Sequence, residues 1–407
     1  MKPYCIAPFV HLYQHSQSLD DRVCCISKIN KADDNRDNGV DNNLQSKWEN
    51  EYYQDIRKRM LEPGSDLPEC AECIRLEKQG QTSDRLNFES RFKNQYIEFN
   101  TITGNQYNHP LDYDLRPGNL CNLGCRMCSP MSSTQLSKEY KKHKDDFNDL
   151  VPETFFTMED GCDWDYKENL DWIKENLLSG KTNRIKFLGG EPTIMPGVLE
   201  LLDFMIDNSL TRTSLSFTTN CTNENRHFVS KVSRFTDVYF HFSIDGIGRT
   251  LEYIRHPAKW NKINENIRKL SSNKSWIAPM CNTTIQAYNI HHLKDYVYWL
   301  KALNKIRHVE LNTVIIDYPS HMSYKVLPVE YRNCYIVDLI NDPIMQWDVI
   351  KQSNLRANLK TILEDKTVEG TDKFIEHTKA FDKVRNQNIK NYIPQLASYF
   401  GLSNRYQ

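Results

Sequence analysis

The sequence predicts an α/β fold built on a parallel sheet, and three observations predict it. Short runs with a strand pattern recur along the middle of the chain, at residues 111–116, 184–188, 214–219, 238–244, 277–285 and 308–316. Stretches with helical spacing separate them, at 132–144, 169–178, 224–235, 261–270 and 290–303. Polar turns with chemically distinctive residues follow the runs. Strands alternating with helices of this length make βαβ units and a parallel sheet. Ligands of such sheets sit beyond the carboxyl ends of the strands, which is where the distinctive residues fall.

Composition bounds the rest. A chain of 407 residues allows about two to three domains, divided here as 1–100, 108–320 and 321–407. Formal net charge is −1, so bulk electrostatics point to no polyanion, and no nucleic-acid partner is expected. A hydrophobic content of 39% is globular rather than disordered. No apolar run approaches the roughly 18 residues of a membrane span, so no membrane is expected. Met1, Lys2, Pro3, Tyr4 and Cys5 lack the apolar core of a signal peptide, so the chain reads as cytoplasmic. Twelve cysteines in that compartment point to metal or redox chemistry before disulfides.

The elements follow in order. Residues 9–13 have a strand pattern, 16–21 a polar turn and 22–26 a return strand, together a β-hairpin with Cys5 before it and Cys24 and Cys25 at its end. Residues 30–43 are dense in Asp and Asn and read as a loop. Trp48, Tyr52, Ile56 and Met60 recur at four-residue steps, one face of a helix over 48–61. Cys70 and Cys73 open a short charged helix reaching Lys78. Cys5, one of Cys24 and Cys25, Cys70 and Cys73 make a four-cysteine set. Zinc and an iron–sulfur cluster both accept it, and spacing does not separate them.

The first core strand, 111–116, runs into a loop with Cys121, Cys125 and Cys128 at the spacing C-x3-C-x2-C. Three thiolates hold three irons of a cubane and leave the fourth open for a ligand that is not protein. Structural zinc wants four ligands in close pairs, and no Cys or His follows until His143. Residues 145–166 lack a clean period and read as an insertion. The second strand ends in Gly189, Gly190, Glu191 and Pro192. Glycines there let backbone approach a ligand closely, and a carboxylate such as Glu191 can pair with an ammonium group. The third strand ends in Asn220 and Cys221. The next ends in Ser243, Ile244, Asp245 and Gly246, with Ile254 and Arg255 beyond it. Residues 282–286 form a polar strand end.

This constellation resembles the radical S-adenosylmethionine (SAM) superfamily. The resemblance spans 108–320. It implies a partial (β/α)6 barrel and a [4Fe–4S] cluster on Cys121, Cys125 and Cys128. It places the SAM amino acid moiety on Gly189, Gly190, Glu191 and Pro192. The family's aromatic before the third cysteine is here Met127. Asn220 takes the T-N-G-like position, Ser243 and Asp245 match S-x-D-G, and Arg255 matches the later I-R; the family implies SAM contacts for Ser243 and Arg255. Cys221 stands where relatives place glycine. It reads either as a small residue on a backbone that no longer needs positive φ, or as a thiol facing the cavity, able to give a hydrogen atom to a substrate radical. No other catalytic residue is assigned.

The N-terminal cysteines are similar to the twitch and SPASM auxiliary-cluster modules of that superfamily, in a hairpin/helix form placed ahead of the core. The resemblance implies a second [4Fe–4S] cluster, an electron donor such as flavodoxin or ferredoxin, and a peptide or protein as the leading substrate. A small metabolite, sugar or nucleoside is the alternative. A metal-stabilised binding or electron-transfer protein without catalysis is the rival from another class. Residues 321–407 read as a helical extension closing the open side of the barrel. In it, Asp382 and Arg385 lie three apart and read as an exposed pair on one helix, the alternative being that Asp382 reaches a substrate.

Overall fold

The computed structural model describes residues 4–14, 22–27, 43–78, 80, 82–94, 109–157, 167–223, 226–272 and 279–402. Its centre is an open sheet of seven parallel strands in sequence order. They are β1 (His11–Tyr13), β2 (Asp112–Leu115), β3 (Arg184–Phe187), β4 (Ser214–Thr219), β5 (Val238–Ser243), β6 (Met280–Ile285) and β7 (Glu310–Ile315). The six strands read from residue 111 onward are all present, in a partial barrel.

The seventh strand corrects the N-terminal hairpin. Residues 22–27 form turns and no strand. His11–Tyr13 instead pairs in parallel with β2, with His11 opposite Asp112 and Tyr13 opposite Asp114. All three residues of β1 are buried, and His11 Nδ1 meets Asp112 Oδ2 at 2.8 Å. The edge of β2 offers unpaired backbone groups, and β1 covers that edge. The turn over 16–21 and the loop over 30–42 lie outside the described residues.

Strand alternation explains the two faces. Ile185 and Phe187, Leu215 and Phe217, and Phe240 and Phe242 point to the helix side. Phe187 stacks on Phe217 at 5.1 Å and Phe217 on Phe240 at 5.8 Å. Phe217 meets Phe228 of the helix Arg226–Val232 edge-on. The opposite, concave face carries Asp112, Asp114, Arg184, Lys186, Ser216 and His241, one residue out of step with that apolar set. The helix Pro196–Asp207, which the sequence reading passed over, buries Val198, Leu201, Leu202 and Met205 at helical spacing.

One apolar core runs from Cys5 to Leu402. Leu355–Glu364 lies against β7, whose Thr313 N–H donates to Asn354 Oδ1 at 2.8 Å. The C-terminal helix α1 (Thr371–Val384) returns over the loop after β2. The part of the insertion up to residue 157 adds a small aromatic cluster, in which Phe147 and Tyr140 pack on Phe381 of α1; residues 158–166 lie outside the described residues. Among the described residues no helix is long and apolar enough to cross a membrane.

Candidate functional site

The cysteine triplet lies at the carboxyl edge of the sheet because β2 ends just before it. Backbone contacts hold the loop from several sides. Gly124 N–H donates to His256 O at 2.7 Å, and Arg126 N–H to Ile254 O at 2.8 Å. Thr134 Oγ1 donates to Cys121 O at 3.2 Å. Cys125 is buried, and Cys121 and Cys128 are partly so. Burial pushes the Cys128 thiol up to about 12 and raises Cys121 and Cys125, while Arg255 pulls Cys125 back down. Arg255 Nη1 lies 3.9 Å from Cys125 Sγ, and Asn220 Nδ2 lies 3.8 Å from Cys121 Sγ. Nitrogen donors aimed at sulfur are what a cluster's thiolates ask of the residues around them. Among the described residues no three Cys, His, Asp or Glu side chains are arranged around a single metal ion. A cubane makes a different demand, since each thiolate binds its own iron. The donor set therefore fits three-cysteine cluster ligation.

The Gly-Gly-Glu-Pro stretch is joined to that loop. Gly190 N–H donates to Gly118 O at 3.1 Å and Glu191 N–H to Leu120 O at 2.8 Å. A Cβ on Gly190 would collide with the Leu120 carbonyl, and Gly189, at φ +104°, faces the Gly118 carbonyl. Both positions need glycine for this approach. The Glu191 carboxylate is fully buried and already occupied. It accepts from Thr193 Oγ1 at 2.6 Å, Thr219 Oγ1 at 2.8 Å and Asn220 N–H at 2.7 Å. Burial raises its pKa against the pull of those donors. It ties β3 to the end of β4. Pro192 begins the short turn Pro192–Ile194 that follows.

Asn220 also donates to Asn122 Oδ1 at 3.0 Å. Ser243 ends β5, half-buried, in register with Asn282. Asp245 joins two parts of the site: Oδ2 accepts from Arg255 Nε at 2.8 Å, and Oδ1 accepts from Thr284 N–H at 2.8 Å. Arg255 thus stands between Asp245 and Cys125.

Two sequence readings are corrected here. Cys221 adopts φ +60°, so the backbone still takes the left-handed conformation that glycine favours. Its thiol is fully buried and donates to Thr219 O at 3.6 Å, away from any open cavity. Asp382 and Arg385 are not an exposed pair. Both side chains are buried and hold the cysteine loop: Asp382 Oδ1 accepts from Arg126 Nη2 at 2.7 Å, while Arg385 donates to Gly124 O at 2.6 Å and to Glu139 at 2.8 Å. Fully buried Arg126 stacks 3.6 Å over Tyr253. Sequence spacing could not show a partner 256 residues away.

The N-terminal cysteines also converge. Cys5, Cys24, Cys70 and Cys73 line one cavity together with Tyr4, Phe88 and Arg85. Burial pushes Cys5 and Cys70 up to about 12. The Arg85 backbone N–H and Ser83 stabilise the Cys73 thiolate against the same effect. Cys25 does not line the cavity; its thiol is exposed and lies 3.7 Å from Asp84 Oδ2.

Residues 115–295 match the radical SAM superfamily, so the chain carries a radical SAM domain, from the last residue of β2 into the helix Leu293–Leu303. No curated protein matches the chain. Among solved structures it is similar to Streptococcus suis SuiB bound to S-adenosylmethionine, at 13% identity and TM-score 0.36, covering 66% of this chain and 57% of that one. SuiB bound to the precursor peptide SuiA matches at 13% identity and TM-score 0.33, covering 67% and 57%. TYW1 with a lysine–pyruvate adduct bound matches at 16% identity and TM-score 0.31, covering 59% and 73%. The chain spans 57% of the length of SuiB.

Proposed function

We propose that this chain is a radical SAM enzyme, with Cys121, Cys125 and Cys128 as the ligands of a [4Fe–4S] cluster and SAM bound beside it at the carboxyl ends of the strands. The observation that carries this reading is the joining of the Gly-Gly-Glu stretch to the cysteine loop by two backbone hydrogen bonds. It brings bare backbone next to three thiols at one edge of a parallel sheet. When bound, the cluster supplies the electron that splits SAM into methionine and a 5′-deoxyadenosyl radical, which takes a hydrogen atom from the substrate.

The chain's own residues bind and orient. With the Glu191 carboxylate occupied, the backbone of Gly189 and Gly190 is assigned to the SAM amino group, and Glu191 is a positioning residue. Arg255, held by Asp245, sets a positive charge beside Cys125, which offsets thiolate charge. Asn220 does the same for Cys121 as a neutral donor. Ser243 and Asn282 offer polar atoms on the concave side. Helix α1 and its aromatic neighbours keep water from the back of the loop.

The N-terminal cavity is assigned to a second cluster on Cys5, Cys24, Cys70 and Cys73. Such auxiliary clusters accompany peptide substrates in the enzymes the sequence resembles, so a peptide is the leading substrate class. The enzyme would work in the cytoplasm with a flavodoxin- or ferredoxin-type donor. Anaerobically reconstituted protein, given SAM and dithionite, should form 5′-deoxyadenosine, and the triple Cys121, Cys125, Cys128→Ala variant should form none. Wild-type protein with full iron but no 5′-deoxyadenosine would instead favour an electron-transfer or metal-stabilised binding protein.

A further inference from the structure

The concave face carries a ladder of charge that neither cysteine set uses. Asp112 is fully buried and is met by His11 Nδ1 at 2.8 Å, by Arg184 at 2.6 and 3.0 Å, and by Arg91 at 3.7 Å. One step along, Asp114 is met by Lys186 at 3.1 Å and Arg116 at 3.0 Å. Four permanent cations therefore surround two carboxylates. Asp84 adds a third carboxylate near Arg91, and positive charge still remains in surplus that a bound anion can neutralise. The surplus cations are also reachable. The side chains of Arg91, Lys186 and Arg184 are 39%, 23% and 19% exposed.

A second observation points the same way. Ser216 sits opposite Lys186 in the register and on the same face. It is 2% exposed, and its hydroxyl has no hydrogen-bond partner among the described residues. An unpaired buried hydroxyl beside a cation is an unmet donor. Next in line are Tyr239, opposite Ser216, and His241 two residues on. Burial together with Lys186 and Arg184 pushes His241 down to about 4, so it adds a neutral imidazole to this surface.

We propose that this ladder is the recognition floor for an anionic group of the substrate, a carboxylate or a phosphate, held by Arg91, Arg184 and Lys186 with Ser216 as a neutral donor. The assignment rests on reading the concave face as the substrate side of a radical SAM site, with the anionic group toward the amino ends of the strands, where Asp112 and Arg184 begin β2 and β3, and the reacting carbon toward the cysteine triplet at their carboxyl ends; it deepens that reading by naming the chemistry the substrate must present. Arg184 fixes Asp112 and so supplies the rigid half of the site. Arg91, stacked on Phe88 at 5.4 Å, and Lys186 supply the adjustable half. Bidentate guanidinium recognition suits both oxyanions.

Thermal-shift titration of the reconstituted protein with inorganic phosphate and with succinate, at constant ionic strength in chloride, tests this without SAM. At least one anion should raise the melting temperature in a saturable way. The Arg91→Gln/Lys186→Gln double variant should need roughly tenfold more anion for half the effect, and the exposed-site control Lys360→Gln should behave as wild type. Tighter phosphate binding indicates a phosphorylated substrate, and tighter succinate binding a carboxylate-bearing one. Should the double variant fail to fold, Lys186→Arg should keep the response and Ser216→Ala weaken it. Equal half-saturation in wild type and variant, or no response beyond chloride, overturns the proposal. Failure of SAM cleavage alone would remove the radical reading and leave this result standing.

Discussion

The two cysteine sets lie at opposite ends of the sheet and are held in different ways. Cys121, Cys125 and Cys128 follow the last residue of β2. The N-terminal cavity abuts the start of β1, where Phe88 packs 4.9 Å from His11 and lines the cavity with Cys5. Backbone bonds to residues 118–120, 254–256 and 134, together with Arg385 just past α1, fix the triplet loop. The N-terminal thiols come from three short segments that line one cavity, with Tyr4 N–H donating to Met60 O at 2.8 Å and Cys70 N–H to Leu67 O at 2.9 Å. The first site is organised by the fold. Under the proposed function the second would be completed by the cluster it binds, as small metal modules commonly are. The comparison yields predictions with effects of decreasing size.

The largest effect is on chemistry and metal content. Reconstituted protein should hold about eight irons and the triple Cys121, Cys125, Cys128→Ala variant about four, with SAM cleavage abolished and thermal stability little changed. Iron removal from wild type should instead expose residues 43–94 to limited proteolysis while the sheet, β1 included, stays protected. Zinc in the N-terminal set would replace the second cluster. Equal protease sensitivity of both regions would break the comparison.

Next comes Arg126→Met. It leaves Asp382 buried beside Tyr253 without its cation, and such a loss costs about 3–5 kcal/mol. Denaturant unfolding should show it, and 5′-deoxyadenosine formation should fall with it, because Arg126 also fixes the cysteine loop. A cost below about 1 kcal/mol would mean that α1 does not hold the triplet.

Acid should act on the barrel rather than on the N-terminal set. Burial holds His241, His256 and His321 down to about 4, below the ordinary histidine value near 6.5. As pH falls between these values the unfolded chain takes up protons first, so stability present above about 6.5 drains away toward 4. Melting temperature against pH should show that slope, and His321→Asn should flatten part of it. A flat profile would contradict the burial of these rings.

Two smaller effects separate neighbouring residues. Cys24→Ser should reduce iron by about four per chain, and Cys25→Ser should leave it unchanged; equal losses would place both thiols at the cavity. Cys221→Gly should be more stable than Cys221→Ala by about 1 kcal/mol, because only glycine adopts positive φ without strain. The reverse order would mean that Sγ packing dominates.

What the sequence determined by itself is the part written locally. Alternating runs read the six core strands, because strand burial has a period of two residues that survives without any partner. The spacing of Cys121, Cys125 and Cys128 and the glycines at 189 and 190 are equally local, since a turn needs its residues at fixed steps. Tertiary structure decided the rest. The strand at His11–Tyr13 looked like half of a hairpin because its true partner is 101 residues away. Asp382 and Arg385 looked like surface charge because their partners lie in the loop after β2 and in Glu139. Cys24 and Cys25 cannot be told apart in sequence, since which one turns toward the cavity is set by packing. The ladder of Asp112, Asp114, Arg184 and Lys186 was hidden for the same reason: each strand shows one polar residue in two. Only their parallel registration puts those residues on a single face.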